Sequence, residues 1–250
     1  MISLHWPKRT TFATVLCAGL LTACSGSEPE ASRVFVAAPW TGDETLTYRV
    51  TDRGVEGEGQ CTLTTREAEP QGFELARTCT KAEFGDSGKA IVDERLDPRS
   101  SERILTDAKK GKRVAHTVVY DTLTSHFTTD DGDEVRETDR TLPKATNSGP
   151  QPAWYDDESI LWMVRGVELR DGYSAAYHHV INAGQPRILV VELAVSGRER
   201  VTVPAGSFDA WVIRVQRSNS SYIFWVDAGA AHVVLRARIE DVTYELVTQE

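Results

Sequence analysis

The chain has 250 residues, with 40% hydrophobic and 26% charged residues, Gly 18 and Pro 10, a globular composition that excludes a disordered or collagen-like chain. Lys+Arg 28 against Asp+Glu 37 gives a formal net charge of -9, and the one dense basic run is Lys109-Lys110-Gly111-Lys112-Arg113, so binding to nucleic acid by phosphate neutralisation is not expected. No apolar run is long enough for a multi-pass membrane protein.

The first segment reads as an address. Lys8 and Arg9 form a short positive start, residues 10–21 are uncharged and mostly apolar or small, and Leu21-Thr22-Ala23-Cys24 follows. These three parts make a secretory signal, too short to span a bilayer as a permanent helix. Its last four residues resemble a bacterial lipobox. That resemblance implies a lipoprotein signal peptide over 1–23 and acylation of Cys24 as the new N-terminus. The plainer alternative is an ordinary secretory signal with a chance cysteine. A lipidated chain is membrane-anchored, stably so only with more than one acyl chain. Ser25-Gly26 behind the cysteine, in place of Asp, favours the outer membrane facing the periplasm in a Gram-negative host. Residues 24–39, with Gly, Ser, Pro and Glu, read as a flexible tether. Residues 40–250 are then one β-rich domain.

With Cys17 lost in the signal and Cys24 lipidated, Cys61 and Cys79 remain. An even remainder in an exported chain suggests one disulfide. Residues 60–66 and 73–83 read as strands, with Glu69-Pro70-Gln71-Gly72 as the turn. A turn centred on Pro70 sets the two cysteines opposite each other. A redox or metal pair is a weak rival, since no CxxC occurs.

Other strands are expected over 45–51, 89–96, 113–120, 123–129 and 134–139. Turns fall at Asp52-Arg53-Gly54, Asp86-Ser87-Gly88, Lys109-Lys110-Gly111 and Asp130-Asp131-Gly132-Asp133. The last reads as an acidic hairpin tip, since it lacks EF-hand spacing. Residues 142–152 mark a break, either a domain linker or a long crossover within one sheet. The period then changes: Ile160, Met163, Val164 and Val167 follow helical spacing, with Asp156 or Asp157 as the cap. Strands resume over 173–181, 188–195, 200–203, 208–217, 222–226, 232–239 and 242–247. Trp211, Ile213 and Val215 share one face, as do Val233, Leu235 and Ala237, and Val242, Tyr244 and Leu246. The expected fold is all-β and mainly antiparallel. It is a curved sheet or partly closed half-barrel with one short helix packed on the concave side.

Three ordered stretches resemble a bacterial exported family, domain of unknown function 3108. They are Asp93-Glu94-Arg95-Leu96-Asp97-Pro98 leading into Ser101-Glu102-Arg103; Tyr155-Asp156-Asp157-Glu158-Ser159-Ile160-Leu161-Trp162-Met163-Val164-Arg165 followed by Gly172-Tyr173; and Val201-Thr202-Val203-Pro204-Ala205-Gly206-Ser207-Phe208-Asp209-Ala210-Trp211 followed by Phe224-Trp225-Val226-Asp227. The resemblance implies an exported or lipid-anchored protein with the half-barrel of lipoprotein carriers, and it carries over no catalytic residue. Ala228-Gly229-Ala230-Ala231 departs from the polar, Pro-containing hairpin end more usual in that family.

No catalytic constellation is visible. GxSxG, GxGxxG, a P-loop and HExxH do not occur. His178 and His179 are adjacent on a strand, so they point to opposite faces and share no metal simply. No cofactor, no metal and no enzyme activity are expected. Arg165, at the helix end, is either a structural cation there or a clamp for an anionic headgroup. Trp162, Trp211 and Trp225 stand out among the many aromatics of the second half. Each suits a core, yet with Arg165 they could line an apolar groove. The reading is a non-enzymatic cell-envelope lipoprotein that binds or carries an apolar or amphiphilic ligand in the periplasm. The alternative is a structural or assembly lipoprotein docking a protein partner through a sheet edge.

Overall fold

The computed structural model describes residues 33–40, 42–53, 55–142, 153–217 and 220–250. The expected signal, Cys24, residues 24–32 of the tether and 143–152 of the break lie outside these.

Among the described residues, fifteen strands form one sheet. In chain order they are β1 (Glu44–Asp52), β2 (Val55–Glu67), β3 (Phe73–Lys81), β4 (Phe84–Val92), β5 (Pro98–Asp107), β6 (Lys112–Tyr120), β7 (Thr124–Asp130), β8 (Val135–Thr141), β9 (Trp154–Asp156), β10 (Ser174–Ile181), β11 (Arg187–Val203), β12 (Gly206–Gln216), β13 (Ser221–Asp227), β14 (Val234–Ile239) and β15 (Val242–Gln249). Their order across the sheet is β8-β7-β6-β5-β4-β3-β2-β1-β15-β14-β13-β12-β11-β10-β9. Two antiparallel meanders are thus joined at a central seam, where β1 pairs with β15. The expectation of an all-β, mainly antiparallel curved sheet is met.

The exception is β9, which pairs parallel with β10. A parallel pair needs a crossover over the sheet face. That crossover holds α1 (Ile160–Met163), flanked by 3₁₀ turns at Asp157–Ser159 and Val164–Gly166. Ile160, Leu161, Trp162, Met163 and Val164 are all buried in the main core. The helix fills the concave side, as its spacing predicts. The sheet does not close: β8 and β9 are its two edges. Instead β9 tucks against β5 and β6, with the Tyr120 and Trp154 rings edge to face at 5.2 Å.

Several expectations need correction. Asp86-Ser87-Gly88, read as a turn, runs through the middle of β4 and pairs along β3 and β5. Strand β5 had no expectation at all, because Pro98-Arg99-Ser100-Ser101-Glu102-Arg103 shows no apolar alternation. Its neighbours on both sides hold it extended. The expected strands at 188–195 and 200–203 are one strand, β11, whose register shifts between Val195 and Arg198. Residues 33–39, expected as tether, are anchored in the core at two positions. Val34 and Phe35 are fully buried, and the Phe35 ring meets Tyr155 at 4.5 Å and Tyr177 at 5.5 Å. Val36 N–H donates to the Gly166 carbonyl at 3.1 Å. Gly166 permits this approach, since a methyl there would stand 2.5 Å from the Ala37 carbonyl oxygen. A chain beginning at Ser25 keeps every described element.

Cys61 and Cys79 are directly opposite in the β2–β3 register and form a disulfide, as the turn at Pro70 predicts. A crosslink closing a loop of this size stabilises by about 3 kcal/mol in the chain-entropy model.

Candidate functional site

The start of the crossover carries three consecutive carboxyl groups, and each has a different task. Asp156 is the cap: its Oδ1 accepts from the Glu158 N–H at 2.7 Å. Its Oδ2 accepts from Ser101 Oγ at 2.6 Å and from the Tyr120 hydroxyl. Asn182 Nδ2 donates to Ser101 Oγ at 2.9 Å. These bonds fasten β9 to β5 and β6. Burial pushes the Asp156 carboxyl up, against the hydrogen bonds from Ser101 and Tyr120.

Asp157 accepts from His179 Nε2 at 2.7 Å, and His179 Nδ1 meets the Tyr177 hydroxyl at 3.3 Å. Burial alone would raise the Asp157 carboxyl. The hydrogen bond and charge of His179, with Arg103 and Arg217 nearby, hold it below the usual range instead.

Glu158 points at two arginines. Arg77 Nη2 donates to Glu158 Oε2 at 3.0 Å and to Asp86 Oδ1 at 3.1 Å. Arg103 forks onto Asp86, with Nε to Oδ1 at 3.0 Å and Nη2 to Oδ2 at 2.8 Å. Arg103 Nη1 is 3.7 Å from Glu158 Oε1, too far for a hydrogen bond. Asp86 therefore already holds both guanidinium groups, and Glu158 is the surplus acid. Burial, with Asp156 and Asp157 adding to it, pushes Glu158 up to about 8 against the pull of Arg77 and Arg103. Its side chain is 1% exposed, and Oε1 has no hydrogen-bond partner. Gly88 makes the room: a Cβ there would overlap the Glu158 carboxylate and crowd Arg77 Nη2.

A pocket of about 260 Å³ opens beside this cluster, lined by Arg77, Arg103, Glu158, Arg187, Arg217 and Tyr222 among others. Arg217 is held by the Tyr222 hydroxyl and by Glu240 at 3.0 Å. Next to it runs a groove of about 570 Å³ with a largely apolar wall that includes Val50, Phe84, Leu105, Val114 and Tyr244. The Cys61–Cys79 disulfide is part of its lining. Asp86, Val242 and Tyr244 line both spaces, so the charged pocket and the apolar groove adjoin. The groove lies at the end of the sheet where β1, β3 and β5 finish and β4, β6 and β15 begin. Phe84 stands half exposed at its mouth.

The four residues expected to line a ligand site sit outside both spaces. Trp162 is buried in the core, and its Nε1 donates to Thr65 Oγ1 at 3.0 Å. Arg165 is fully buried. It forks onto Glu44 at 2.5 and 3.0 Å, donates to the Ala231 carbonyl at 2.9 Å and lies over the Trp40 ring. Trp211 packs in the core beneath Arg198, whose guanidinium is 4.1 Å from the ring centroid. Trp225 alternates with the buried Phe224 and Val226 on β13 and donates from Nε1 to Glu199. None of the four lines the groove or the pocket. Among the described residues, no group of three or more His, Cys, Asp or Glu is placed to hold a metal ion.

Sequence reasoning missed Arg77, Asp86, Arg103, Glu158 and Arg187 as site residues. One signal was present. Arg77 follows Leu75 by two on β3, so a cation occupies an inward, apolar-face position.

An open, curled antiparallel sheet around a crossover helix, with a charged pocket beside an apolar groove, defines the class of protein. The family model described as "Protein of unknown function (DUF3108)" matches residues 80–243, and the chain belongs to that family. A crystal structure of a DUF1089 family protein from Pseudomonas aeruginosa is similar at 12% identity. It covers 82% of this chain and 92% of that chain with a TM-score of 0.37. Comparison with curated proteins gives no match.

Proposed function

We propose that this protein is a non-enzymatic lipoprotein of the bacterial cell envelope that binds an amphiphilic ligand. The ligand's apolar part lies along the groove at Val50, Phe84, Leu105 and Val114, and its polar end enters the pocket at Glu158 and Arg103. The observation that carries this reading is the adjacency of the two spaces at Asp86, Val242 and Tyr244. An apolar wall with a few convergent polar groups is what small-molecule sites have in common. The proposed site is thus the mouth of the sheet and not the tryptophans of its interior, which the helix fills.

Docking a protein through a sheet edge is less well supported. Edge strand β8 carries Arg136, Glu137, Asp139 and Arg140 in seven residues, and edge strand β9 has three residues. Charged or very short edges discourage strand addition.

The test is native mass spectrometry of the chain from Ser25, purified from bacterial periplasm without detergent. The expected result is a stoichiometric adduct of lipid mass that leaves on denaturation and is lost in Leu105→Lys. A clean apo mass, with no uptake from a lipid extract, overturns the reading.

A further inference from the structure

The charged pocket has an uneven set of partners, and that unevenness narrows the ligand. Arg77 and Arg103 share Asp86, and Arg217 holds Glu240. Asp157 is taken by His179. Two groups lining the same pocket remain unused among the described residues. Glu158 Oε1 is buried with no hydrogen-bond partner, and the side chain of the exposed Arg187 at the rim makes no ion pair or hydrogen bond.

We propose that the pocket receives the carboxylate of a single-chain amphiphile, clamped between the Arg187 guanidinium and a proton carried on Glu158 Oε1, with its hydrocarbon chain in the groove. This rests on the amphiphile reading above and specifies its headgroup and chain number. Size argues for one chain. At about 30 Å³ for a group the size of a water, the groove of about 570 Å³ holds roughly nineteen such groups. That is enough for one long chain. The pocket of about 260 Å³ holds roughly nine, enough for a carboxylate and a water or two.

Charge argues for an anion. With Glu158 protonated, the lining carries Arg77, Arg103, Arg187 and Arg217 against Asp86, Asp157 and Glu240, a surplus of one positive charge. Burial favours that protonated form, and an approaching carboxylate favours it further. A guanidinium offers a carboxylate a two-pronged contact, and a carboxylic acid offers it a short donor. An alkylammonium head would face four arginines.

The experiment is calorimetric titration of the chain from Ser25 with palmitate, hexadecanol and hexadecyltrimethylammonium, each below its aggregation concentration. Palmitate is expected to bind at least about tenfold more tightly than the other two, the worth of one charge-assisted contact. Arg187→Gln is expected to remove most of that preference. Because Arg187 is exposed, this variant does not disturb the core. Equal binding of palmitate and hexadecanol, tighter binding of the ammonium, or an unchanged preference in Arg187→Gln overturns the carboxylate assignment and leaves the amphiphile reading in place. No uptake of any of the three overturns both.

Discussion

At Gly88 the middle of a strand does without a side chain because the Glu158 carboxylate occupies its place. The two residues are 70 positions apart in the sequence, yet each is explained by the other. Gly88→Ala should destabilise the fold by about 1–3 kcal/mol, the usual penalty for overpacking. Glu158→Ala in the same chain should recover part of the loss, as read by chemical denaturation. Independent, additive losses would show that the two do not compete for one space. The same carboxyl sets a pH response. The folded value of Glu158 is raised from the usual 4.5 to about 8. Its contribution to stability is therefore full below about 4.5 and is lost as pH rises through about 8. Asp157, lowered in the fold, runs the other way and contributes above its ordinary range. Unfolding midpoints should fall between about pH 5 and about pH 8 in the parent, and Glu158→Gln should flatten that slope. An equal slope in both would assign the effect to other groups.

Among the elements, the hairpin β2–β3 was the most legible. Alternation, a Pro-Gly turn and two cysteines at matching distance all point to one register, and the disulfide sits in it. Cys61→Ser with Cys79→Ser should lower stability by about 3 kcal/mol, measured in the absence of reductant. A change under about 1 kcal/mol would mean that the paired strands alone hold the register. Strand β15 was equally legible, since Tyr244 and Leu246 alternate with polar residues against a single solvent face. The first half of β4 and all of β5 were not, for a physical reason. Their inward positions there hold Asp86, Ser101 and Arg103, which satisfy one another and the crossover carboxyls instead of packing as hydrocarbon, and Gly88, which has no side chain. The rule that reads apolar alternation as a strand fails where a strand's buried face is polar. That is also why the candidate site stayed hidden. The tryptophans attracted the functional reading, whereas they supply the interior, and the site was built from charged residues that look like surface.

At the scale of the whole molecule, the segment before Trp40 is anchored in the core through Val34 and Phe35. Phe35 is enclosed by Tyr155 and Tyr177, and loss of a buried Phe side chain costs about 3–5 kcal/mol. A chain beginning at Thr41 should therefore lose at least that much stability relative to one beginning at Ser25, by thermal or urea unfolding. Matching curves would place residues 33–40 outside the cooperative unit. The central seam has a further consequence. Tyr48 lies opposite Leu246, so the middle of the sheet joins the earliest strand to the last. A nascent chain can assemble each meander outward from its own hairpins, but β1 keeps one bare edge until residues 242–249 have emerged. The most distant contact, and hence the slowest to find, is the one that completes the sheet. Until then the protein is two half-sheets, each with a sticky edge. A holding chaperone would have a definite strand to cover and a definite moment to let go.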